Sequence, residues 1–159
     1  MLVVATEGDA LLVADDRELE RGPPSYTVDT LEQIRADLGP ATSVCWCIGT
    51  DQYRALPRWR DPERILELAH LVVLVRPGTA GDGMPAGLAR LVAGRVTDDP
   101  TTLSGGAGRV YFCAAAMLPI SATAIRTALA RGESVAGLLP SKVATYITQH
   151  RLYGGSGYR

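Results

Sequence analysis

Short apolar runs alternate along the chain with segments whose apolar positions recur every three or four residues. Leu2, Val3, Val4 and Ala5 open it, Glu7-Gly8-Asp9 breaks the run, and Ala10 to Ala14 reads as a short buried strand. After the charged segment Asp15 to Arg21 and the turn Gly22-Pro23-Pro24, Thr27 stands as a helix cap ahead of Val28, Leu31, Ile34 and Leu38. Gly39-Pro40 ends that helix. Ser43 to Ile48 is rich in strand formers, and Gly49-Thr50-Asp51 follows it at once, as a sharp strand-to-helix turn does.

The same alternation continues. Asp61-Pro62 starts a helix through Ile65, Leu66, Leu68 and Ala69, which feeds the continuous apolar strand Leu71 to Val75, closed by Arg76-Pro77-Gly78. Thr79 to Gly108 is rich in Gly, Pro, Asp and Thr, with a helix signal only at Leu88 to Val92. Val110 to Ala114 reads as a strand, Ser121 opens a helix through Ile125 and Leu129 that Arg131-Gly132 ends, and Pro140 precedes a last helix with Val143, Tyr146 and Ile147 on one face. No internal repeat is visible.

Strands that are continuously apolar and alternate with helices predict an α/β domain, a mostly parallel sheet flanked by helices. In such sheets ligands gather where strands turn into helices at their carboxyl ends. We expect one domain over residues 1–153 and a flexible tail over 154–159.

Composition narrows the function classes. Sixteen Lys and Arg against seventeen Asp and Glu give a net charge of −1, so no basic field exists to hold nucleic acid, and an anion must be bound locally. No stretch is long and apolar enough for a membrane span. Cys45 and Cys47 flank Trp46 and aim at the same face, while Cys113 stands apart, so the expectation is small buried thiols in a cytoplasmic protein rather than a zinc or disulfide framework.

Two junctions carry candidate chemistry. Ser121 at a helix start leaves backbone N–H groups free for phosphate, and Thr123 and Arg126 share a face of that helix, where a guanidinium fork grips phosphate oxygens. Ser caps and exposed arginines also occur in helices that bind nothing. Gly49 permits close backbone approach beside Asp51 at the end of a strand, though a helix cap would use the same residues. Trp59 in a polar segment is either packed down or presented for stacking, and Ser25-Tyr26-Thr27 either caps a helix or receives a small anion. Neither His70, among apolar neighbours, nor His150, at a helix end, has a catalytic context.

Taken together, these segments resemble a known family. Ser121-x-Thr123-x-x-Arg126 matches the S-x-T-x-x-R signature of nucleotidylyltransferases. The order of Pro24-Ser25-Tyr26-Thr27-Val28-Asp29-Thr30-Leu31, Ile48-Gly49-Thr50-Asp51, Leu56-Pro57-Arg58-Trp59, Ala69-His70-Leu71-Val72-Val73, Arg76-Pro77-Gly78 and Leu138-Leu139-Pro140 resembles bacterial nicotinate-nucleotide adenylyltransferases. The resemblance implies a Rossmann-like nucleotidylyltransferase fold. It implies transfer of AMP from ATP to nicotinate mononucleotide, giving deamido-NAD and pyrophosphate. By it, Trp59 stacks the nicotinate ring, Tyr26 and Thr27 receive the mononucleotide, Gly49 and Asp51 line the nucleotide cleft, and Ser121, Thr123 and Arg126, supported by Arg76, hold the ATP phosphates. Mg2+ would come bound to those phosphates rather than to protein ligands.

The family's amino-terminal H-x-G-H region has no counterpart in this sequence, so no catalytic histidine is assigned. Met1 aligns inside the helix before the family's third strand, which implies a fold missing its first strands and a start at an internal methionine. The open sheet edge that this leaves is suited to pairing with another chain, a homo-oligomer among the outcomes. From the 159 residues alone we expect little adenylyl transfer, since one lost transition-state donor costs about a hundred- to a thousandfold. A remnant that binds nicotinate mononucleotide without transferring anything is the alternative. An adenylyltransferase for phosphopantetheine would share the S-x-T-x-x-R element but not Ser25-Tyr26-Thr27 with Pro57-x-Trp59.

Overall fold

Four strands form one sheet in a computed structural model that describes residues 1–75, 85–114 and 120–154. The strands are β1 (Cys45–Gly49), β2 (His70–Leu74), β3 (Val96–Thr97) and β4 (Val110–Cys113), in the order β1-β2-β4-β3, and every pairing is parallel. Helices α1 (Leu2–Thr6), α2 (Arg17–Arg21) and α3 (Thr27–Leu38) precede β1, α4 (Thr50–Ala55) and α5 (Pro62–Leu68) join β1 to β2, α6 (Ala86–Leu91) joins β2 to β3, and α7 (Ala122–Ala130) and α8 (Ser141–Gln149) follow the last strand. Helix and parallel strand thus alternate as the apolar pattern predicts.

The described residues fall into two compact units, one drawn from Arg17–Met117 and the other from Met1–Asp16 with Leu118–Arg159. In the first, Ile48, Leu71, Val73 and Val110 project from the sheet into a core completed by Val28 and Leu31 of α3 and Ile65, Leu66 and Leu68 of α5. Removing that apolar surface from water is the main stabilising term here. In the second, Ile125 and Leu129 of α7 pack with Val143 and Ile147 of α8 and with Val135. The Lys142 ammonium lies 2.9 Å from the Glu7 carboxylate, tying α8 to the segment after α1.

Three expectations are corrected. Ala10–Ala14 is not a strand, and Leu11, Leu12 and Val13 are exposed. The Leu11 N–H is spent on a turn closed by the Asp9 carboxylate (2.8 Å), and no described strand offers this run a ladder. Cys45 and Cys47 are exposed rather than buried. The two-residue period puts them on the opposite face from Trp46 and Ile48, where Val72, Leu74, Tyr111 and Cys113 are only half-buried, although His70, paired with Cys45, is buried. Thr27 is the first helical residue of α3, and Tyr26 is the cap position.

Among the described residues no helix is long and apolar enough to cross a membrane. Arg76, with Pro77 and Gly78, the following residues 79–84, and the tail beyond Gly154 lie outside the described residues.

Candidate functional site

Trp59 belongs to a segment fixed at both ends. Pro57 shapes the 3-10 turn Leu56–Arg58, after which the Trp59 N–H donates to the Leu56 carbonyl (3.0 Å). At the other end Asp61 takes the left-handed conformation (φ 48°) and its carboxylate accepts the Arg64 N–H (3.2 Å), capping α5. The indole between these anchors is half-buried against the core.

Ser25, Tyr26 and Thr27 are positioned by Arg21. Its guanidinium donates to the Ser25 hydroxyl (3.4 Å), the Thr30 hydroxyl (3.2 Å) and the Gln33 side-chain carbonyl, while Thr30 donates to Glu18 (2.7 Å). The start of α3 is thereby bound to α2. The Tyr26 carbonyl already accepts the Thr30 N–H (3.3 Å), and no hydrogen bond among the described residues engages the Thr27 hydroxyl. That hydroxyl is free for a ligand, which is the physical content of the correction from cap to first helical residue.

Trp59, Tyr26 and Thr27 share one cavity of about 310 Å³, walled also by Ser25, Arg58, Arg60 and Ile65. The Arg60 guanidinium lies over the Tyr26 ring, 4.7 Å from its centroid, and 3.8 Å from the Asp29 carboxylate. The two arginines were assigned no role from sequence. The available signal was the Arg58-Trp59-Arg60 triplet, which brackets a stacking residue with two cations.

Gly49 closes β1 and serves as the cap position of α4, with Asp51 exposed in the first turn. The Thr50 hydroxyl donates to the Leu74 carbonyl (3.2 Å), which pins this turn to the end of β2. Gly49 has an ordinary extended conformation (φ −76°), and a Cβ there would meet nothing within 4 Å. Its backbone therefore stands open at the carboxyl end of the sheet, the position where such folds receive ligands.

The S-x-T-x-x-R helix lies in the other unit. The Ser121 side chain accepts the Ala124 N–H (3.1 Å), and the first backbone turn bond runs from the Ile125 N–H to the Ser121 carbonyl (3.0 Å). The Ala122 and Thr123 N–H groups precede that bond and face outward from the helix start. Ile125 and Leu129 are buried, while Ser121, Thr123 and Arg126 are exposed on the remaining surface of α7.

Each histidine is committed within its own unit, and neither lines the cavity. His70 is buried, its Nδ1 accepting the Arg109 N–H (3.1 Å) and its Nε2 3.0 Å from the Gly105 carbonyl, so it holds the loop before β4. The His150 ring packs on Tyr146 at 4.1 Å between centroids. Among the described residues no three His, Cys, Asp or Glu side chains converge as a metal site.

Residues 1–128 match the cytidylyltransferase-like family. The chain is 42% identical over 153 residues to the probable nicotinate-nucleotide adenylyltransferase of Pseudomonas syringae pv. tomato, covering 96% of this chain and 68% of that one. It is 44% identical over 153 residues to the protein of the same description from Pseudomonas putida strain GB-1, covering 96% and 69%. The solved structure of Plasmodium falciparum nicotinic acid mononucleotide adenylyltransferase complexed with APC superimposes with a TM-score of 0.54 at 15% identity, over 81% of this chain and 58% of that one. The same enzyme complexed with NaAD gives 0.55, over 81% and 57%. At that identity the superposition shows the fold: a parallel sheet flanked by helices, as in the nucleotidylyltransferases. With its strand order, its strand-to-helix turn at Gly49 and its capped S-x-T-x-x-R helix, the chain belongs to the cytidylyltransferase-like family, among the nicotinate-nucleotide adenylyltransferases.

Proposed function

We propose that the cavity at Tyr26, Thr27 and Trp59 binds nicotinate mononucleotide, and that Ser121, Thr123 and Arg126 of α7 hold the phosphates of ATP. The observation that carries this reading is the cavity itself. Tyr26 and Thr27 at the start of α3 and Trp59, distant from them in sequence, line one volume together with Arg58 and Arg60, and the Arg60 guanidinium lies over the Tyr26 ring. Stacking on Trp59 suits a pyridinium ring. On α7, outward N–H groups and the Arg126 fork suit a phosphate chain, while Gly49 and Asp51 line the nucleotide side and Arg76 supports it.

The reaction is attack by a phosphate oxygen of nicotinate mononucleotide on the α-phosphorus of ATP. A P–O bond forms there as the bond to pyrophosphate breaks, and deamido-NAD results. The protein supplies position and charge stabilisation rather than a covalent intermediate. Mg2+, carried by the ATP phosphates, would neutralise charge on them. Residues 1–153 act as one adenylyltransferase-like domain in this reading, in the cytoplasm, which three free thiols support.

A second reading, binding of the mononucleotide without transfer, is favoured by one observation. His70 and His150 are both committed to packing, and neither is available to a ligand in the cavity. Calorimetric titration of nicotinate mononucleotide into the chain and into Trp59→Ala tests the shared premise. Saturable binding that the substitution weakens at least tenfold is expected, and absence of binding sinks both readings. Pyrophosphate release on adding ATP then decides between them.

A further inference from the structure

We propose that Arg21, which does not line the cavity, is a positioning residue for it: by holding Ser25 and Thr30 it fixes the wall formed by Tyr26 and Thr27, and so sets the affinity for the mononucleotide. The inference rests on the mononucleotide reading above and adds to it a residue that the ligand does not touch.

Helix α3 begins without a cap of its own, since Tyr26 occupies the cap position and makes no side-chain capping bond. A helix start of that kind frays unless another element ties it down. Arg21, the last residue of α2, does so from outside. One terminal nitrogen of its guanidinium donates to the Ser25 hydroxyl (3.4 Å) and the Thr30 hydroxyl (3.2 Å), and the other donates to Thr30 (3.3 Å) and to the Gln33 side-chain carbonyl. Thr30 is buried, and its hydroxyl donates in turn to the Glu18 carboxylate (2.7 Å), while its N–H donates to the Tyr26 carbonyl (3.3 Å). A chain of bonds thus runs from α2 through Thr30 to the backbone of Tyr26.

Stability alone does not account for an arginine here. Its Nε is buried with no partner among the described residues, and its acceptors are two hydroxyls and an amide, with no carboxylate bonded to it directly. Burying a guanidinium on those terms costs free energy that an apolar side chain would not. What the planar fork supplies is geometry. Its donors point in fixed directions and reach Ser25 on one side of Tyr26 and Thr27, and Thr30 and Gln33 on the other. The ammonium of a lysine is a point charge without that span.

The test is calorimetric titration of nicotinate mononucleotide into the native chain, Arg21→Met, Arg21→Lys, Thr30→Val and the double variant Arg21→Met with Thr30→Val. Each is measured well below its own thermal midpoint, where circular dichroism verifies that it is folded. A residue that only adds stability leaves the affinity unchanged under those conditions. The expected result is binding weakened about tenfold in Arg21→Met and about threefold or more in Arg21→Lys. Because Arg21 and Thr30 are links of one chain, the double variant is expected within about twofold of Arg21→Met. Native affinity in either arginine variant overturns the proposal, and so do losses that multiply in the double variant. Should Arg21→Met not fold, Arg21→Lys, Thr30→Val and their combination decide by the same criteria. If the native chain does not bind the mononucleotide, it is that reading which fails, and the positioning role falls with it.

Discussion

Tyr53 meets Phe112 edge to face, ring centroids 5.2 Å apart and planes at 87°, while its buried hydroxyl finds no hydrogen-bond partner among the described residues. The contact fastens α4, which Gly49 caps and whose first turn carries Asp51, to β4 across the sheet. A buried hydroxyl without a partner costs free energy that a hydrogen atom would not. Tyr53→Phe is therefore expected to leave stability unchanged or raise it by up to about 1 kcal/mol, read as the urea midpoint. A clear loss of stability would mean that the hydroxyl is satisfied.

Gly108 and Gly49 separate structural from ligand-facing glycines. Gly108 has φ +91°, and a Cβ there would stand 2.7 Å from an Arg95 side-chain nitrogen and 3.2 Å from the Leu66 carbonyl. Gly108→Ala is expected to cost about 2 kcal/mol or more. Gly49→Ala meets neither strain nor neighbours, so the thermal midpoint should hold while ATP affinity falls as the methyl group blocks close approach. Unaltered nucleotide affinity in that variant would remove Gly49 from the site.

On α7, capping and ligand binding divide between two residues. Ser121→Ala removes the bond to the Ala124 N–H and is expected to cost about 1 kcal/mol as well as nucleotide affinity. Arg126 is exposed with no partner among the described residues, so Arg126→Ala should leave the unfolding curve in place and lower ATP affinity alone. Thermal melts with and without ATP distinguish these outcomes.

How much of this is legible in the chain depends on how local each feature is. The turn at Gly49 and the cap at Ser121 are written within a few neighbouring residues, and the structure has both where the residue types imply. Ala10 to Ala14 has the residue types of a strand and is none, because a strand exists only with a ladder partner, which no pattern within five residues reveals. The two-residue strand Val96–Thr97 gives no sequence signal for the same reason, since its pairing with Val110 and Tyr111 is non-local. Tyr26 and Trp59 stand out locally by residue type, but their ligand roles come from family resemblance rather than spacing. The placement of Arg60 on Tyr26 depends on how α3 meets the segment before α5, a tertiary outcome.

The exposed thiol face has a pH signature. Partial burial holds the Cys47 thiol above its ordinary value, and the neighbouring Cys45 and Cys113 push it the same way. The folded chain binds that proton more tightly than the unfolded chain, so the stability it contributes is fully present below the unfolded thiol's pKa and is lost as pH rises through the folded one. Burial also raises Tyr53, which acts in the same direction at higher pH. The urea midpoint should fall between neutral pH and about pH 10, and fall less in Cys47→Ser. Equal falls in the two proteins would assign the effect elsewhere.

The most direct test is a crystal structure of the chain grown with nicotinate mononucleotide. The pyridine ring is expected against the Trp59 indole, within the cavity bounded by Tyr26 and Thr27. Ordered ligand elsewhere on the chain, with that cavity empty, would contradict the assignment of the site.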